Sequence, residues 1–150
     1  MEALKKKQNA LAKLISLEKK NVESVKIEYN KIETLLNKSK TKEQEIGACI
    51  VELEEKSRTE LLDFKMDTTS KLMQYRIYIE QKCIELKRQS NETKAMQNLS
   101  ERVSRELIKL SLKVNKIEDK FSDVTVKIKL ELEKQEIKAA DDMWLQRIAR

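Results

Sequence analysis

The chain contains no histidine and no proline, and its one glycine is Gly47. Without histidine it lacks the commonest general base and the usual transition-metal ligand. A single glycine cannot build a glycine-rich phosphate loop. Compact folds turn their chains with glycine and proline, whose dihedrals other residues adopt only at a cost, and that turn chemistry is almost missing here. No run approaches the ~18 apolar residues of a membrane-spanning helix, and the first residues have no apolar core of a signal peptide. Cys49 and Cys83 have no metal-type spacing. Free, buried thiols in a reducing compartment are the expectation, with a disulfide between chains as the alternative. These absences predict a cytoplasmic or nuclear protein, not an enzyme, with no cofactor and no metal.

What is present is charge and periodic apolar residues. Charged side chains make up 39% of the chain and hydrophobic ones another 39%. Ala, Glu, Lys, Leu and Arg dominate, as in long helices. Disorder is the competing reading of so much charge, and the placement of the apolar residues argues against it. The net charge of +6 is uneven: residues 1–40 hold 10 Lys against 5 Glu. Lys5, Lys6, Lys7 and Lys13 open this basic stretch, and they are the candidate contacts for an anionic partner: nucleic acid, anionic lipid or an acidic protein surface. The first forty residues have lysine but no arginine, and the tyrosines are not set out as a base-stacking platform, so nucleic acid is the lesser expectation. A plain solvated face is the bland one.

Stepping alternately four and three residues from Leu4 reaches Gln8, Leu11, Ile15, Glu18, Val22, Val25, Tyr29, Ile32, Leu36, Ser39, Glu43, Ile46, Ile50 and Leu53. A stripe repeating every ~3.5 residues faces one neighbouring helix continuously when helices supercoil left-handedly. A second stripe runs from Leu61 through Lys65, Thr68, Leu72, Tyr75, Ile79, Lys82, Leu86, Gln89, Thr93, Met96 and Ser100. It then becomes wholly apolar at Val103, Leu107, Leu110, Val114, Ile117, Phe121, Val124 and Ile128. These eight residues are the strongest assembly signal and the predicted oligomer interface. With the step of three taken as a to d, β-branched residues lean toward d. That disfavours a simple parallel dimer and leaves trimers, tetramers, antiparallel pairs or heteromeric bundles.

The predicted fold is all-α without a sheet: an elongated coiled coil or helical-bundle rod of two to four long helices. Residues 1–56 read as a basic coiled-coil helix with a candidate break at 37–42. Residues 61–136 read as a second coiled-coil segment with a candidate break at 89–98. Joining the stripes takes one residue more than the heptad allows, so local unwinding or a break is expected around Ser57, Arg58 and Thr59. Polar stops such as Gln8, Glu18, Ser39 and Glu43 either weaken a homotypic core or set register and meet a complementary residue on a different chain.

Residues 139–150 read as a separate short amphipathic segment, with Asp141 and Asp142 suited to a first helical turn. It holds the one tryptophan. Met143, Trp144, Leu145 and Ile148 are the candidate docking residues, because aromatic side chains often anchor interfaces. The alternative is that Trp144 caps the end of a bundle. Lysine-rich, interrupted heptads with a basic start are similar to those of coiled-coil subunits of spindle, centrosomal, kinetochore and meiotic chromosome assemblies. No motif singles out one of these. The expected function is structural: oligomerisation through helix pairing, with itself or other coiled-coil subunits, that scaffolds or spaces partners in a cytoskeletal or chromosome-associated assembly. A basic helical scaffold on nucleic acid or an anionic membrane surface is the alternative.

Overall fold

The computed structural model describes residues 1–63 and 68–149, apart from the side chain of Thr68. Lys65 and the Thr68 side chain, two expected stops of the second stripe, lie outside the described residues, as does Arg150 of the C-terminal segment. Two helices account for nearly all of the rest: α1, Glu2–Leu62, of 61 residues, and α2, Thr68–Ile148, of 81 residues. They pack against each other, and no strand occurs among the described residues.

Helices this long form because nothing in their interiors breaks them. No proline removes a backbone donor, and straight-chain Lys, Glu, Leu and Gln lose little rotamer freedom in a helix. Residues 37–42 and 89–98 are helical throughout, as are Ser57 to Thr59, so the expected breaks do not occur. Polar composition alone is insufficient to end a helix whose next apolar stop is still covered. Thr34, Thr41 and Thr59 donate their hydroxyls to the carbonyls of Asn30, Asn37 and Glu55 one turn back, at 2.9 to 3.0 Å. That back-bonding satisfies the hydroxyl without interrupting the backbone ladder. Asp141 and Asp142 likewise lie inside α2 rather than at a new start.

The chain divides into two compact units, Met1–Lys26 with Arg105–Arg150, and Ile27–Ser104. In the first, Gln8 bonds Thr125 and Glu18 bonds Lys113. Advancing along α1 thus means retreating along α2, and the helices run antiparallel. In the second, Glu33 bonds Ser100 and Ser39 bonds Thr93, with the same sense.

Both stripes read from sequence form the buried seam. Every stop from Leu4 to Leu53 is buried or half-buried, and so is every stop from Leu72 to Ile128. The fully buried apolar side chains are Ile32, Leu36, Ile50, Val103, Val114, Ile117, Val124 and Ile128. Each removes apolar surface worth roughly 1.5–3 kcal/mol from water. The join around Ser57 needs correction. Ser57 and Glu60 continue the first stripe as half-buried residues, whereas Leu61 is 55% exposed. The two stripes belong to different helices, so no single register has to link them.

Candidate interaction surfaces

The eight residues predicted as an oligomer interface line the seam between α1 and α2 of the single chain. Val103, Val114, Ile117, Val124 and Ile128 are 4 to 8% exposed in the single chain, and Leu107, Leu110 and Phe121 are half-buried. In the first unit the pairing of Gln8 with Thr125 and Glu18 with Lys113 sets Leu11 beside Phe121, Ile15 beside Ile117 and Val22 beside Leu110. Sequence reasoning found the seam but not its occupant, because a heptad specifies a neighbouring helix without saying whose.

Three of the four polar stops, Gln8, Glu18 and Ser39, meet complementary groups on the opposite helix of the same chain rather than on a different one. Gln89 donates from Nε2 to Ser39 Oγ at 2.8 Å, Ser39 and Thr93 share a 2.7 Å hydrogen bond, and Thr93 donates to the Gln89 carbonyl at 2.9 Å. The Thr93 proton is used on that carbonyl, so Ser39 is the donor to Thr93. The three residues close a ring in which each hydroxyl both gives and accepts. Ser39 and Thr93 are 7% and 8% exposed, where an unmade hydrogen bond would cost about 1–3 kcal/mol. Ser100, also buried, donates to a Glu33 carboxylate oxygen.

Glu18 is the least comfortable member. It is 7% exposed, its Oε1 accepts from Lys113 Nζ at 3.1 Å, and its Oε2 is buried without a partner. Beside it, Lys19 and Glu118 form an exposed ion pair at 3.0 Å. In the second unit Lys82 occupies a seam stop. Glu85 holds it at 3.1 Å and raises its pKa above the ordinary 10.5, first by that hydrogen bond and then by charge, while the Tyr78 ring lies 5.8 Å away. Lys82 is half-buried, as an amphipathic side chain at a seam stop can be.

The other sequence candidates lie on the outside. Lys5, Lys6, Lys7 and Lys13 are exposed. They belong to the more strongly charged unit: Met1–Lys26 with Arg105–Arg150 carries 18 basic against 12 acidic residues, while Ile27–Ser104 carries 14 of each. Most of that unit's lysines come from α2, where Lys109, Lys113, Lys116, Lys120 and Lys127 recur at helical spacing, a ladder the reading by N-terminal charge missed. Met143, Trp144, Leu145 and Ile148 are 58 to 63% exposed. Every residue from Leu132 to Ala149 is exposed, so Trp144 caps nothing within the chain. Cys49 is half-buried and Cys83 exposed, both as free thiols, so neither is the fully buried thiol expected.

The surface hollows are open. One in the second unit is lined by Leu53, Glu60, Lys71, Gln74, Tyr75 and Tyr78, with a volume of about 390 Å³. No helix among the described residues is long and apolar enough to cross a membrane. Comparison with family models, with curated proteins and with solved structures gave no match.

Proposed function

We propose that this chain is a non-enzymatic structural protein that uses helix pairing twice: once within itself, to hold α1 against α2 by coiled-coil packing, and once outward, to oligomerise and to scaffold or space partner proteins. The observation that carries this reading is apolar surface left over after the internal seam is satisfied. Leu130, Ile137, Trp144 and Ile148 of α2 are 53 to 63% exposed, although Val124 and Ile128 just before Leu130 are buried. Large apolar side chains grouped on one exposed helical face mark interaction surfaces, whereas single ones need no explanation. The setting we place it in is a cytoskeletal, spindle or chromosome-associated assembly, on the similarity of its lysine-rich heptads to subunits of such assemblies. Light scattering coupled to size exclusion on the full chain tests the oligomerising part: a mass above that of one chain supports it, and a single-chain mass across a wide concentration series removes it.

A second reading rests on the lysine ladder of α2 in the more basic unit, which suits an anionic polymer or surface. Co-sedimentation with anionic vesicles and retention on duplex DNA, each at physiological salt, separate its two forms. Absence of both at physiological salt would mark the charge as a solvating face.

A further inference from the structure

The outward face of α2 has a heptad of its own. From Val126, steps of four, three, four, three and four reach Leu130, Glu133, Ile137, Ala140 and Trp144. The stops are offset by two residues from the buried Val124 and Ile128, and Val126 and Leu130 are already 54% and 53% exposed, so this stripe lies on a different face from the one covered by α1. A face packed on a globular body would follow a period near ~3.6 residues, while one of ~3.5 residues suits another long helix. Residues 132–148 continue α2 with no buried residue, so α1 covers no face of this part of the helix.

We infer that this stripe pairs with the same stripe of a second copy of the chain, antiparallel, about a two-fold axis between Ile137 and Ala140. This rests on the oligomerising reading above and names its surface, partner and direction. Charge settles the direction. Leu130, Ile137 and Trp144 take the a positions of this outer heptad, and Glu133, Ala140 and Arg147 the d positions. The flanking e positions then hold Lys134 and Asp141, and the g positions Lys129 and Glu136. In a parallel pair g meets the following e of the other chain, which sets Lys129 against Lys134 and Glu136 against Asp141. Its core layers would also oppose Glu133 to Glu133 and Arg147 to Arg147. Like charges meet at each of those places.

In the antiparallel pair the layers become Ile137 with Ala140, Trp144 with Glu133, and Leu130 with the stem of Arg147, each occurring twice by symmetry. Lys134 then meets Asp141 across the interface, and Glu133 lies diagonally beside Arg147, so opposite charges meet four times. The small Ala140 opposite Ile137 lets the helices approach closely at the axis. Trp144 supplies the largest apolar surface near each end, over the aliphatic part of Glu133.

The test uses the full chain in sedimentation equilibrium, with helix content followed by circular dichroism. The wild type should be a dimer, and Ile137→Asp should be a monomer of unchanged helicity. Lys134→Asp and Asp141→Lys should each weaken the dimer about tenfold, since surface ion pairs are individually modest and each exchange affects two of them. The double exchange should restore it. Single exchanges that strengthen association would establish the parallel arrangement and overturn the inference. A dimer indifferent to Ile137→Asp and to both exchanges would leave self-association standing but remove this surface. A wild type monomeric at every concentration would remove both.

Discussion

The two units are built on one heptad but fill it differently. In Met1–Lys26 with Arg105–Arg150, the α2 side of the seam is Leu107, Leu110, Val114, Ile117, Phe121, Val124 and Ile128, without a polar stop. In Ile27–Ser104 the α2 stops include Lys82, Gln89, Thr93 and Ser100. Apolar layers contribute more free energy but specify register poorly, since one Leu packs against another in many alignments. The Ser39, Thr93 and Gln89 ring is satisfied in one alignment and costs stability in any other. The apolar α2 stops of the first unit therefore contribute mainly adhesion, and the ring of the second adds alignment to that given by Gln8 and Glu18 in the first.

The sharpest way to break that comparison is a charge in the apolar unit. Ile117→Asp should cost about 3–5 kcal/mol, because a buried carboxylate there gains no partner, and the loss should show as a large fall in the urea midpoint. Leu36→Ala, at a position 2% exposed in the polar unit, should cost about 2–5 kcal/mol by cavity formation, with the lower end expected where two helices can close the gap.

The ring gives a sharper contrast. Thr93→Val alone should destabilise by about 1–3 kcal/mol by stranding Ser39, whereas Ser39→Val with Thr93→Val should recover most of that loss. The double variant should also lose uniqueness of register, which crosslinking between α1 and α2 would read as new alignments. Gly47→Ala should raise stability by about 0.5–1 kcal/mol, since a methyl group there meets nothing within 4 Å and glycine disfavours helix interiors.

Lys82 gives the smallest effect. Its pKa is raised in the folded chain, so its contribution is present below the ordinary 10.5 and is lost as pH rises through the raised value. Lys82→Met should lower stability slightly at neutral pH and change it least above the raised pKa, which flattens the alkaline limb of the stability profile. A steeper alkaline limb would mean Glu85 does not hold the ammonium.

Most of the seam was legible from sequence because the heptad is a one-dimensional signal. Each stop from Leu4 to Leu53 and from Leu72 to Ile128 is where the four and three count puts it. The expected breaks failed because polar runs such as residues 37–42 resemble turns in composition while the buried Leu36 and Ser39 hold the helix through them. The outer stripe on α2 is only partly legible: Ile137, Ala140, Trp144 and Ile148 share one helix side by spacing alone, but Val126 and Leu130 look like ordinary neighbours of Val124 and Ile128 until one pair is buried and the other exposed.

Sequence by itself determined that this chain forms long helices and which edge of each must leave water, because helix propensity and apolar spacing are local properties. Tertiary structure decided that α1 and α2 cover one another, antiparallel, and which apolar residues remain outside. Those outcomes depend on contacts between residues such as Glu18 and Lys113, which adjoin only once the chain has folded back.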